Sequence, residues 1–244
     1  MRDLFAYMFG GSARYPNRYR AIESLAIVAF ATLSALLAHA IVRGAHQAGA
    51  LWVLVPLVMA AYLAADFVSG LVHWLADTFG TEETPFFGQK FVKNFRNHHV
   101  DPKGITRHDF VETNGDNCLV SLPWMALTYW LAPIATELWG FAIGVFILAM
   151  MIFVLLTNQL HKWAHTDVPP AFIRPFQRFG LVLSTSHHDV HHVSPHDEHY
   201  CITSGWLNPI LDGIGFFKAM ERLVVTTTRW VAMPVEVQRK PRLE

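Results

Sequence analysis

Residues 138–165 read LWGFAIGVFILAMMIFVLLTNQLHKWAH, and this stretch decides the fold. From Leu138 to Leu160 it carries no Asp, Glu, Lys or Arg, and it exceeds the ~20 apolar residues a helix needs to cross a bilayer. At its end, His161-x-x-x-His165 sets two imidazoles one helical turn apart on one face, the spacing at which both can bind one metal. A membrane span therefore delivers a pair of metal-ligating side chains to one surface of the bilayer.

The rest of the chain agrees with a membrane home. Of its 244 residues, 52% are hydrophobic and 16% charged, too apolar for an ordinary soluble domain of this size. Three further stretches approach spanning length: Ala21 to Val42, Ala50 to His73 and Leu119 to Ala135. The last is the weakest, because Pro123 and Pro133 interrupt a short apolar run, which favours a tilted, kinked or partly re-entrant segment. The expected fold class is an all-α integral membrane protein, multi-pass, with about four transmembrane helices and a cytoplasmic, histidine-rich di-metal cap. Residues 1–20 read as a retained N-terminal arm, 21–230 as the membrane-embedded domain and 231–244 as a polar tail.

Orientation follows from Lys and Arg. Four precede the first span, Arg43 alone separates spans one and two, five lie between two and three, none between three and four, and nine follow span four. By the positive-inside rule both termini and the Asp77 to Cys118 loop face the cytoplasm. The formal net charge is zero, so no global field attracts nucleic acid. Cys118 and Cys201 form no C-x-x-C pair, which leaves sulfur chemistry without a motif.

The chain has 14 histidines, spaced rather than consecutive. On the helix frame His73, His98, His99, His108, His161, His165 and those from His187 to His199 fall at one membrane face, while only His39 and His46 fall on the other. Four clusters stand out: His73, the pair His98-His99, His161-x-x-x-His165, and His188-x-x-His191-His192. A single histidine is ordinarily a hydrogen-bonded or interfacial residue; eight at one face point to metal. Four ligands fill one tetrahedral ion, so eight imply two ions, or one ion with redundant neighbours. No glutamate has a histidine three residues later, which argues against a carboxylate-bridged di-iron bundle. Affinity order does not choose iron over copper or zinc.

Helical spacing nominates outer partners. Asp66 and Asp77 lie near the face of His73, and Asn158 precedes His161 by three. Asp66 at a membrane end is by default a functional hint, with an interfacial carboxylate as the plain alternative. The segment Glu112-Thr113-Asn114-Gly115-Asp116-Asn117 reads first as a turn followed by a helix cap, with Asn114, Asp116 and Asn117 as secondary candidates to orient a ligand or water. His108 and His196 complete the outer set. Two stretches suit the headgroup region: Phe86 to Arg96, where Phe87, Phe91 and Phe95 recur every four residues among basic side chains, and Phe172 to Leu183. For both, a basic amphipathic helix packed on the protein is an equal reading.

These residues resemble the lipid desaturase family that includes plasmanylethanolamine desaturases of the Kua and CarF type and the plant plastid desaturase acting on phosphatidylglycerol. The resemblance runs through Asp66-Phe67-x-x-Gly70-x-x-His73-Trp74, Phe95-Arg96-x-His98-His99-x-Asp101-Pro102, Ile105-Thr106-Arg107-His108-Asp109-Phe110, Glu112 to Cys118, His161-Lys162-Trp163-x-His165, His188-x-x-His191-His192 and Tyr200-Cys201-Ile202-Thr203-x-Gly205-Trp206-Leu207-Asn208. It covers about Leu63 to Gly213 in order and spacing. The stretch from Thr106 to Asn117 looks like the plasmanylethanolamine branch. Because the plastid branch has no histidine at the position of His108, the resemblance favours an ether phospholipid substrate and argues against His108 as an obligatory ligand.

The resemblance implies two iron ions on His73, His98, His99, His161, His165, His188, His191 and His192, with O2 as co-substrate, and desaturation of an ether lipid to a vinyl ether. The chain shows no haem-attachment, flavin or iron–sulfur motif, so electrons are expected from an external carrier such as cytochrome b5 or ferredoxin. The alternatives are an acyl-lipid desaturase, a di-iron lipid hydroxylase, a bis-histidine cytochrome, and a membrane metal transporter or sensor. A transporter places its ligands near mid-membrane, whereas these gather at one interface.

Overall fold

The computed structural model describes residues 17–48, 51–85 and 87–233. The expected arm and tail fall largely outside the described residues, as does Phe86. The described chain is helical: α1 (Asn17–Ala48), α2 (Leu54–Thr78), α3 (Lys93–Val100), α4 (Phe110–Leu131), α5 (Leu138–Ala164), α6 (Arg174–Arg178), α7 (Thr185–His188), α8 (Asn208–Gly213) and α9 (Phe216–Thr227). Among the described residues, β pairing is confined to an isolated antiparallel bridge between Phe79 and Ala232.

Among the described residues, three helices are long and apolar enough to cross a membrane: Asn17–Ala45 within α1, α2 and α5. They expose large apolar side chains, including Leu25 and Val28 on α1, Val55 and Met59 on α2, and Ile143 and Ile152 on α5, which is favourable only against lipid or another apolar surface. The expected fourth span lies in α4, which does not meet that standard. The reason is local. Asp109 accepts N–H bonds from Val111 and Glu112 and caps the helix, so the expected turn at Glu112 to Asn117 is instead the first turns of α4. That leaves Cys118–Leu131 as the mainly apolar part, about 21 Å at ~1.5 Å per residue, short of a ~30 Å hydrocarbon core.

Two compact units are present. In the unit of residues 20–66 and 108–159, Ala26, Phe30 and Leu37 of α1 pack with Cys118 and Met125 of α4 and Met151 of α5. Polar side chains tie α4 to α5: the Asn114 amide donates to Gln159 Oε1, Asn117 to the Val154 carbonyl, and Asn158 to the Thr113 carbonyl and Asn117 Oδ1. Such bonds suit apolar surroundings, where an unmet polar group costs several kcal/mol, of the order of ~2–7.

The second unit contains residues 67–107 and 160–233. Its core joins Trp74 and Phe79 to Tyr200, Cys201, Leu211 and Phe217. Gly70 lets α2 approach this core: a Cβ there would stand 2.5 Å from Cys201 Sγ. Ser69 Oγ accepts from Ile202 N at 3.0 Å on the same contact. The segment read equally as a headgroup helix or as a basic helix packed on the protein is anchored to the protein through Arg96, which is buried and donates to the carbonyls of Ala76 and Gly80. Those carbonyls are left open where α2 ends, and a guanidinium satisfies two at once. Phe87 remains exposed.

Candidate metal centre

All eight imidazoles nominated as ligands lie in the unit of residues 67–107 and 160–233. They enter on α2 (His73), α3 (His98, His99), the end of α5 (His161, His165), α7 (His188) and the turn after it (His191, His192). Together with Asp77 they fall into two groups, each able to hold a metal ion: His98, His161, His165, His188 and His192, and His73, Asp77, His99 and His191. Within each group the ligand atoms all lie within 4.8 Å of one another.

The five-imidazole group is a chain of facing nitrogens. His98 Nε2 is 2.9 Å from His165 Nε2, His165 3.2 Å from His161, His161 2.8 Å from His188, and His188 3.1 Å from His192. An imidazole nitrogen that holds a proton has no lone pair in the ring plane, and one with a lone pair has no proton. His161, His165 and His188 each face two neighbours, so N–H···N bonds cannot satisfy the chain throughout. A cation accepting lone pairs from all five does. The spacings also match a coordination shell, since metal–nitrogen distances of ~2.0–2.1 Å put neighbouring ligand atoms about 3 Å apart.

The second group makes the same point more sharply. His73 Nδ1 donates to the Tyr200 carbonyl at 3.2 Å and His191 Nδ1 to the Glu198 carbonyl at 2.7 Å, which assigns the lone pair of each ring to Nε2. Those two Nε2 atoms lie 3.4 and 3.3 Å from Asp77 Oδ2 without hydrogen bonds, and His99 Nε2 lies 2.9 Å from the same oxygen. Acceptor lone pairs face a carboxylate oxygen in a site where His73 and His191 are 0% exposed. That arrangement repels itself unless positive charge sits between the atoms, so the residues fit a metal ion.

Both groups share segments. His98 and His99 are consecutive, and the rings of His99 and His192 stand 5.2 Å apart. Burial, followed by the neighbouring imidazoles, holds His98 and His188 far below the ordinary imidazole range, pushes His165 down to about 4 and His192 to about 2. Burial also lowers His99, against the opposing pull of Asp77. These rings are thus neutral at pH 7, the form that binds metal.

A pH dependence follows for the metal-free protein. On acidification the unfolded chain takes up protons near the ordinary value of 6.5, while folded His165 resists until about 4. Stability is therefore intact above about pH 6.5 and declines as pH falls towards 4. Thermal melting of chelator-treated protein at pH 7.5, 6 and 5 is expected to show a progressive fall; a midpoint constant across that range would contradict it.

The region matches the lipid desaturase domain over residues 62–233. The chain belongs to the lipid desaturase family. This lipid desaturase is similar to the plasmanylethanolamine desaturase of Myxococcus xanthus, 47% identical over 214 residues, covering 88% of this chain and 75% of that protein. It is 46% identical over 171 residues to plasmanylethanolamine desaturase 1 of Mus musculus, covering 68% of this chain and 63% of the mouse protein. A more distant relative is the chloroplastic fatty acid desaturase 4 of Arabidopsis thaliana, at 33% over 165 residues, covering 66% of this chain and 49% of that protein. No solved structure matches.

The outer candidates divide in the desaturase. Asp77 stands within a ligand group rather than behind it, and the signal was its i, i+4 spacing from His73. His196 lies against the second group, with Nδ1 donating to the His191 carbonyl and its ring 4.6 Å from His99. Asn114, Asn117 and Asn158 are engaged between α4 and α5. His108 is half-exposed and 3.7 Å from Glu112; Asp66 is buried, and neither it nor Asp116 belongs to a ligand group. His187 and His199 stack on each other at 4.5 Å, and His39 is exposed. Sequence reasoning did not find the Arg96 anchor or the carbonyls of Tyr200 and Glu198, because backbone acceptors leave no residue signature.

Proposed function

We propose that this desaturase introduces a vinyl-ether double bond into a plasmanyl phospholipid. The observation that carries the reading is the pair of adjacent ligand groups, one of five imidazoles and one of three imidazoles with Asp77, in a chain that resembles plasmanylethanolamine desaturases along most of its length. The eight histidines and Asp77 are the ligands in this reading, and the metal is iron, two ions. Bound there, the iron pair supplies the O2-derived oxidising power that removes a hydrogen from each of two adjacent unactivated carbons.

The overall balance is one lipid CH2–CH2 unit, O2, two electrons and two protons giving CH=CH and two waters. The electrons come from an external reduced carrier such as cytochrome b5 or ferredoxin. The protein's own part is to hold and orient. The Tyr200 and Glu198 carbonyls fix which nitrogen of His73 and His191 faces inward, Arg96 ties the end of α2 to the helix that carries His98 and His99, and burial of the rings keeps water out.

In the same reading, residues 21–230 form the catalytic domain between the arm at 1–20 and the tail at 231–244. Helix α4 is a fourth membrane-embedded segment, a placement supported by the exposed Trp124, Leu127 and Trp130. Both termini and the histidine site face the cytoplasm, as the Lys and Arg distribution favours.

The test is expression in a host free of plasmalogens, with a plasmanylethanolamine supplied. Acid-labile vinyl ether is the expected product. An iron-loaded protein that yields none, or that yields a hydroxylated ether lipid, overturns the assignment.

A further inference from the structure

A cavity of about 300 Å3 lies outside the two ligand groups, lined among others by Val182, Ser184, His187, Ser204, Gly205 and Trp206. Its size is at the lower end of ligand pockets, which run from ~300 to 1,000 Å3. Its walls are fixed by specific bonds. The Trp206 indole N–H donates to the Gly180 carbonyl at 2.5 Å, closing the loop at 204–206 onto the segment that begins at 180. The Asn208 side chain grips Cys201 through both its amide oxygen and its amide nitrogen, and that nitrogen donates to His187 Nε2 at 3.1 Å. His187 thereby carries its ring proton on Nδ1. Gly205 has φ +77°, and a Cβ there would stand 2.4 Å from His187 Nε2, so only glycine lets this wall close.

None of the lining residues carries a formal charge. Hydroxyls, an imidazole and an indole suit a ligand that is polar yet neutral overall. The rim indicates where such a ligand comes from. Directly before the cavity wall, Phe172, Phe176, Phe179 and Leu181 are 63%, 48%, 74% and 44% exposed, with Arg174 and Arg178 among them. Exposed aromatics interleaved with arginine are stable where a bilayer takes the rings and lipid phosphates take the charges. Eight residues separate Phe172 from the end of membrane-length α5 at Ala164, so the segment is tethered within about 29 Å of that end. The cavity is also coupled to the metal centre through the backbone: His187 lines it, and the next residue, His188, is a member of the five-imidazole group.

We propose that this cavity seats the zwitterionic headgroup of a membrane phospholipid, a phosphodiester-linked amine, and that the Phe172 to Leu181 segment holds its mouth at the bilayer surface. The serine hydroxyls donate to phosphodiester oxygens, and the Trp206 indole face takes the ammonium. Identifying the bound lipid as the substrate rests on the ether-lipid reading; headgroup binding does not, and it is measurable without turnover.

The experiment uses the iron-loaded full chain in maltoside detergent, with native mass spectrometry reading bound diacyl phosphatidylethanolamine, phosphatidylglycerol of the same chains, and soluble glycerophosphoethanolamine. Phosphatidylethanolamine is expected to bind about tenfold more tightly than either comparison ligand, and Trp206→Leu or Ser204→Ala to weaken it about tenfold, with bound iron unchanged. Equal binding of phosphatidylglycerol, binding of the soluble headgroup as tight as the lipid, or full retention of phosphatidylethanolamine by folded variants overturns the proposal. Should a variant not fold, the wild type decides: a phosphatidylethanolamine with a photoreactive headgroup must label peptides within 180–209, and labelling elsewhere rejects the cavity. Headgroup binding with no vinyl ether formed rejects the ether-lipid reading and leaves the cavity assignment standing.

Discussion

On the proposed two-iron reading, Asp77→Ala is expected to lower bound iron from about two to about one per chain and to reduce vinyl-ether formation by at least about 100-fold. The second ligand group contains one anionic oxygen, and Asp77 Oδ2 stands within 3.4 Å of all three imidazole nitrogens there. Removing it takes away both a ligand and the charge that compensates a buried cation, so the three remaining neutral nitrogens bind more weakly. His165→Ala should deplete the other group, because His165 Nε2 faces both His98 and His161. Exposed His39 provides the control, and His39→Ala should keep both iron and activity. Elemental analysis of desalted protein reads the stoichiometry directly. A fully loaded, active Asp77→Ala enzyme would remove Asp77 from the ligand set.

Gly70→Val should be nearly as damaging although residue 70 touches no ligand atom. A Cβ at this position already meets Cys201 Sγ at 2.5 Å and the Cys201 backbone nitrogen and Phe217 Cζ at 3.3 Å. The wall cannot easily move, since Cys201 is bonded by Asn208 and Ile202 by Ser69. Overpacking of this kind costs about 1–3 kcal/mol. The neighbouring Tyr200 carbonyl, displaced with the wall, would release His73 Nδ1 and the ring orientation it sets. The expected result is a lower melting midpoint together with iron content below wild type, whereas Gly70→Ser should be milder. Wild-type melting and iron in Gly70→Val would show that the contact is not rigid.

The membrane helices were legible, because apolar runs of spanning length and the His161-x-x-x-His165 spacing are local and periodic. Helix α4 is less legible in the sequence. Its polar start at Glu112 to Asn117 resembles a turn in isolation, yet Asp109 caps it and Asn114 and Asn117 find partners on α5, so long-range hydrogen bonds turned turn-forming residues into helix. For Phe86 to Arg96, spacing leaves a headgroup helix and a helix packed on the protein as equal readings, and the open carbonyls of Ala76 and Gly80 tie Arg96 to the protein.

Apolar runs and histidine placement mark a helical membrane protein with a histidine-rich face and nominate eight imidazoles as candidate ligands. Those properties are encoded in composition and short spacing. How the candidate ligands partition, five imidazoles in one group and three with Asp77 in the other, is set by folding. Which ring nitrogen faces inward is set the same way, by carbonyls of Tyr200 and Glu198 brought alongside by folding. Both depend on distances of a few ångströms between segments up to 127 residues apart, and no local pattern records them.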